Sequence, residues 1–247
     1  MKLYLLVGCP FCELALLAAS AAGVEVETVT YANKYYLKTQ EYLAINPNGT
    51  APALVTEEGI LAESYAIMRY FARLSPQAGL FGTTDFQAAQ VDVYLSRLPA
   101  LRSAMFPIFL RQIGKTGFAP DAQAVKDAKK KLFDKLKEFN TELSLKTYLV
   151  GNGVTLADIV ALSFLIKLFT ASLSQKELLR YPNVVRYYRH LVQLPFFTQV
   201  FGQSFVQREL EKAFPLLTPQ QYEEVQALGL KAKQAVFEAA GEPVPEN

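Results

Sequence analysis

The hydrophobic period changes every few residues up to about position 75, and beyond that only helical spacing recurs. Residues 2–7 form a short apolar run suited to a buried strand. Residues 11–22, rich in Leu and Ala, predict a helix closed by Gly23. Val24-Glu25-Val26-Glu27-Thr28-Val29 alternates with period two, a half-buried strand. A Tyr-rich stretch, a short helix near 39–45 and the turn Asn46-Pro47-Asn48-Gly49-Thr50 follow. Residues 53–55 and 60–62 flank Thr56-Glu57-Glu58-Gly59 as a hairpin. Ser64 is a good N-cap for a helix reaching about Leu74. The order β-α-β-α-β-β-α predicts a small α/β domain over 1–75.

Ser75-Pro76-Gln77-Ala78-Gly79-Leu80 breaks the pattern, and 76–85 is read as a linker. No strand pair is recognisable beyond it. Thr84-Asp85-Phe86-Gln87 reads as a capping box opening a long helix bent at Pro107. Further helices are expected over 121–145, 155–173, 181–194 and 195–201. Residues 86–213 are thus an all-helical domain. An amphipathic helix over 218–240 and a Pro-containing tail make 214–247 an extension.

Composition removes several function classes. Lys+Arg 25 against Asp+Glu 23 gives a net charge of +2, so nucleic acid is not an expected partner on bulk electrostatics. One histidine and two cysteines leave no second ligand pair for a zinc site, and no metal is expected. Pro10 and Glu13 interrupt the amino-terminal apolar run, which argues against a signal peptide. The best apolar stretch, 159–169, holds Ser163 and Lys167 and is too short to span a membrane. A reducing, cytoplasmic setting is expected, where a close cysteine pair signals redox chemistry more than a staple.

Three segments carry the chemistry. Gly8-Cys9-Pro10-Phe11-Cys12 sits between a strand and a helix. A thiol at a helix amino end meets unpaired N–H groups and the positive end of the dipole, which favour thiolate and make Cys9 a nucleophile. Cys12, three residues on, is placed to resolve a mixed disulfide. Two buried small residues are the bland alternative. In the second segment, Pro52 opens a strand and belongs at an edge or bend. A cis bond there would turn the Ala51 backbone outward to pair with a peptide-like ligand, and a plain loop is the alternative. In the third, Glu63-Ser64 marks a helix start that attracts a carboxylate, though a simple cap has the same sequence.

Together these segments resemble the thioredoxin-like domain of the glutathione transferase superfamily. Cys-Pro-Phe-Cys is similar to the motif of glutaredoxins and omega-class proteins, Asn46 to Leu54 resembles the loop before the cis-proline, and Glu63-Ser64-Tyr65-Ala66-Ile67 resembles the γ-glutamyl motif. The resemblance implies a thioredoxin-like α/β domain followed by an all-α domain, with glutathione as cosubstrate or ligand. It implies catalytic roles for Cys9 and Cys12, and glutathione binding by Phe11, Ala51, Pro52, Glu63 and Ser64.

The helical half adds detail. Val154-Thr155-Leu156-Ala157-Asp158-Ile159 is a capping box with a staple, in which Thr155 and Asp158 are structural. The run from Thr147 to Ile159, together with Tyr181-Pro182-Asn183-Val184-Val185-Arg186-Tyr187-Tyr188, resembles the transferase-like domain of translation elongation factor 1 gamma. That domain generally lacks Cys-Pro-Phe-Cys, and the factor carries a second carboxy-terminal domain. This chain therefore reads as a stand-alone relative or as the front half of something longer. The resemblance implies two functions: glutathione-dependent thiol transfer or conjugation at Cys9, or a non-catalytic scaffold among translation-machinery proteins. It also implies a homodimer, or pairing with another transferase-like domain. Six lysines between Lys126 and Lys137 read as a solvated helix face over a stripe of Leu132, Phe133 and Leu136, with a contact to RNA or an acidic partner as the alternative. His190 reads as a surface or packing residue. The aromatics of 106–118 and 196–214 read mostly as core, a few lining an apolar pocket facing Cys9.

Overall fold

The computed structural model describes residues 1–32, 34–112 and 121–213. Four strands, β1 (Lys2–Leu6), β2 (Glu27–Tyr31), β3 (Ala53–Val55) and β4 (Ile60–Ala62), form one sheet in the order β2-β1-β3-β4. β1 runs parallel to β2 with Lys2 opposite Glu27, and antiparallel to β3 with Tyr4 opposite Ala53. β3 pairs antiparallel with β4, Ala53 opposite Ala62. The helices are α1 (Pro10–Ala22), α2 (Gln40–Ile45), α3 (Ser64–Leu74), α4 (Asp85–Gln112), α5 (Ala122–Glu142), α6 (Leu156–Lys167), α7 (Gln175–Leu178), α8 (Pro182–Val192), α9 (Pro195–Phe201) and α10 (Gln203–Ala213). Residues 1–206 form one compact unit and 207–247 another, of which 207–213 are described.

Strand alternation decides what each sheet face covers. Leu3 and Leu5 are buried, as are Leu14, Leu17 and Ala18 of α1 and Ile67, Met68 and Phe71 of α3, the helix packed against it. Tyr4 and Leu6, on the opposite face, join a smaller cluster with Tyr31, Leu37, Tyr42 and Ala53. α1 also packs on α6 and α9, so the helix that begins at the cysteine motif is braced by the helical half. α6 is buried from Leu156 to Ile166, the pattern of a helix surrounded on every side.

The order of the first seven elements is the one the periodicity predicts. Four local expectations differ. The strand expected over 24–29 lies at Glu27–Tyr31 because Gly23, left-handed at φ 66, ends α1 and Val24 donates its N–H to the Ala19 carbonyl, so Val24 closes the helix instead of entering the sheet. Ser64 is the first residue of α3, and Glu63 is its N-cap. The box at Thr84 is half formed: Gln87 donates its N–H to Thr84 Oγ, but its Oε1 accepts from the Thr83 N–H at 2.8 Å. α6 ends at Lys167 and the chain continues as a π-helical turn over Leu168–Ser172. The helix expected over 218–240 lies outside the described residues, as do Phe118 and Phe214.

Candidate functional site

The sheet register brings the three sequence segments to one end of the sheet. β1 leaves it towards Cys9, β3 enters it from Ala51-Pro52, and β4 leaves it towards Glu63-Ser64. Cys9 is the N-cap of α1, in extended conformation (φ −82, ψ 117), with Pro10 in the first turn where its missing N–H costs nothing. Its Sγ lies 3.9 Å from the Ala51 carbonyl oxygen. The Ala51–Pro52 peptide bond is cis.

The two thiols are free and differ in character. Cys9 is half-buried, and its pKa is lowered from 9.0 to about 7. The Cys12 thiol, donating to the Cys9 sulfur, is the largest cause; burial opposes it, and the backbone N–H groups of Cys12 and Phe11 add to the lowering. Cys12 is buried, accepts the Leu6 N–H at 3.3 Å, and is pushed far up by its bond to Cys9 and by burial. One sulfur is therefore set to ionise and the other to hold its proton.

Around this thiol the polar groups are unspent. Among the described residues, neither the Ala51 N–H nor the Ser64 hydroxyl, buried at the start of α3, has a hydrogen-bond partner. Glu63 is exposed, makes no side-chain cap bond, and is the one described non-glycine residue at positive φ (69°), a conformation that costs energy and turns it out of the strand. An anionic side chain next to a free hydroxyl at a helix start complements a group that carries both an ammonium and a carboxylate.

An apolar cavity of about 320 Å³ opens beside the start of α1, lined by Pro10, Phe11, Met105, Phe106, Phe109 and Phe164. The aromatics of α4 thus do face the cysteine segment. Arg102 enters the same lining, with its guanidinium carbon 4.7 Å from the Phe11 ring centroid and 5.9 Å from that of Phe164. Behind the motif, Glu13 pairs with Lys167 at 2.6 Å, both nearly buried, and burial pushes the Glu13 carboxyl up against the pull of Lys167. Sequence reasoning missed Arg102, Glu13 and Lys167. Glu13 carried one signal, a charge inside an apolar helix one residue after Cys12; Arg102 carried none.

Other flagged residues lie apart from this site. Asp158 is fully buried and accepts from the Leu149 N–H (2.9 Å), the Thr155 N–H (2.8 Å), Thr155 Oγ (2.9 Å) and the Tyr187 hydroxyl (2.7 Å). It ties the start of α6 to the loop before it and to α8, the structural role expected of the box. His190 contacts the Tyr148 hydroxyl at 3.1 Å. On α5, Lys129 pairs with Glu177 and Lys135 with Glu138, while Leu132 and Leu136 are buried and Phe133 is partly buried. Among the described residues no group of His, Cys, Asp or Glu is placed to hold a metal ion, and no helix is long and apolar enough to cross a membrane.

Comparison with known proteins places this geometry. Residues 1–73 match the family described as glutathione S-transferase, N-terminal domain, and residues 93–195 match glutathione S-transferase, C-terminal domain. A probable elongation factor 1-gamma 1 of Arabidopsis thaliana is 35% identical over 193 residues, covering 77% of this chain and 46% of that protein. The chain thus spans less than half the length of such elongation-factor relatives. Glutathione S-transferase F10 of Arabidopsis thaliana is 35% identical over 150 residues, covering 58% of this chain and 69% of that protein. A solved glutathione S-transferase-I bound with lactoylglutathione superposes with a TM-score of 0.72 at 28% identity, covering 81% of this chain and 97% of its own.

Proposed function

The chain belongs to the glutathione S-transferase family, and from that premise we propose that it binds glutathione beside Cys9 and uses Cys9 as a thiol nucleophile in glutathione-dependent thiol transfer. The observation that carries the reading is the thiol pair: Cys9 at the head of α1 with a pKa of about 7, sustained by a Cys12 that keeps its proton. The free groups around it fit glutathione. Ala51 offers its N–H to the cysteinyl backbone, beside the cis Pro52. Glu63 faces the γ-glutamyl ammonium, and Ser64 with the α3 start faces its carboxylate. Phe11 walls the sulfur on the cavity side.

In the reaction, Cys9 Sγ⁻ attacks the glutathione sulfur of a mixed disulfide. A Cys9–glutathione S–S bond forms, the original S–S bond breaks, and the leaving sulfur takes the electron pair and a proton from water. The thiolate of a second glutathione then attacks the Cys9-bound glutathione, freeing Cys9 and producing glutathione disulfide. A reducing cytoplasm would supply that second thiol. The test is glutathione-dependent reduction of a small neutral mixed disulfide. Activity abolished in Cys9→Ser supports the reading; no activity, or activity that survives Cys9→Ser, refutes it.

A second reading is favoured by the identity to elongation factor 1-gamma proteins. On that reading the fold is a scaffold that pairs with translation-machinery proteins and needs no thiol. Co-purification of translation factors at levels unchanged by Cys9→Ser supports it; the absence of any stable translation partner refutes it.

A further inference from the structure

Among the described residues, Arg102 is the one charged residue in the lining of the cavity beside Cys9. Setting a cation among aromatic rings costs desolvation that rings recover only in part, so a guanidinium in such a place ordinarily has a carboxylate or carbonyl on its edge. Here the rings of Phe11 and Phe164 lie near the guanidinium carbon, a cation–π arrangement that leaves the in-plane N–H groups to other acceptors. Among the described residues Arg102 has ring contacts but neither an ion pair nor a hydrogen-bond acceptor for its N–H groups. The Tyr65 hydroxyl, buried and without a partner among the described residues, lies within range of the same charge. The site therefore combines apolar walls, room for a bicyclic ring at about 320 Å³, and a set of idle cationic donors.

We propose that this cavity takes a small aromatic molecule carrying a carboxylate, with its ring against Phe11, Phe106 and Phe164 and its carboxylate on the edge of Arg102. This rests on the reading of Cys9 as the reacting centre and names the class of acceptor it serves: aromatic acids, or their mixed disulfides with glutathione. Arg102 then determines specificity by binding the acceptor, without taking part in bond making. A planar fork presents two parallel N–H groups to a carboxylate, which an ammonium cannot reproduce.

The test titrates 2-naphthoate and its neutral match, 2-naphthamide, into the full chain, the Cys9→Ser chain, Arg102→Met and Arg102→Lys, by calorimetry. The acid is expected to bind wild type and Cys9→Ser at least ~10-fold tighter than the amide, as a charge-assisted hydrogen bond provides. Arg102→Met keeps amide binding and loses the preference, while Arg102→Lys keeps part of it. Equal binding of acid and amide by wild type overturns the proposal without any variant, and so does failure of both to bind. A preference that persists in Arg102→Met overturns it as well. Because binding is read in Cys9→Ser, an inactive thiol leaves this result standing. Conversely, turnover of a neutral disulfide stands if Arg102 selects nothing.

Discussion

Replacing Cys12 by Ala removes the S–H that donates to the Cys9 sulfur while leaving the helix start and backbone N–H groups in place. The gap between 9.0 and about 7 corresponds to ~3 kcal/mol favouring the thiolate at 1.36 kcal/mol per pH unit. A hydrogen bond to a charged group is worth ~1.5–3 kcal/mol, so the Cys12 donor accounts for half or more of that gap. The Cys9 pKa in Cys12→Ala should therefore rise by ~1 to 2 pH units, cutting the thiolate population at pH 6 by ~10- to 100-fold. Cys12→Ser, which keeps an O–H donor, should restore a large part of the loss. The assay is the pH dependence of iodoacetamide alkylation, with the modified residue identified by peptide mass. The sign is fixed: with a folded-state pKa below the unfolded one, reactivity and the stability linked to this thiol are present at high pH and fade as pH falls through about 7. An inflection that stays near 7 in Cys12→Ala would refute the reasoning and assign the lowering to the helix start alone.

Glu13→Gln should move the same inflection the other way, downward and by less than the Cys12→Ala shift, since the Glu13 charge opposes the Cys9 thiolate and its removal leaves Lys167 uncompensated; an upward shift contradicts this. Asp158→Ala strands four buried donors and should lower unfolding stability by ~4 kcal/mol in urea, with the transition still cooperative. A loss below ~1 kcal/mol would show that the donors find other acceptors or water.

What was legible in the sequence follows from the range of each interaction. The strand and helix order over the first 75 residues rests on local period, and the thiol at the head of α1 rests on five adjacent residues. Asp158 was readable because its box spans four positions, although two of its donors, from Leu149 and Tyr187, were not. Boundaries slipped where a cap competed with a strand, as at Val24, whose alternation with Val26 was real but whose N–H was already committed to Ala19. Glu63 and Gln87 show the same limit, because which of two adjacent residues caps a helix depends on a backbone angle the sequence does not display. The pairing of Glu13 with Lys167 joins residues 154 apart, and the meeting of Arg102 with Phe11 and Phe164 requires α4 and α6 to converge on α1. Neither is a pattern in any window of the chain.

The central claim is that glutathione is held beside Cys9 and reacts there. Its most direct measurement is intact and peptide mass after exposure of the Cys12→Ser chain to glutathione disulfide. The account predicts a single glutathione bound through a disulfide to Cys9, absent in Cys9→Ser and slowed when Ser64→Ala or Glu63→Gln is added. No glutathione on Cys9, or an adduct formed at the same rate without Glu63 and Ser64, would contradict it.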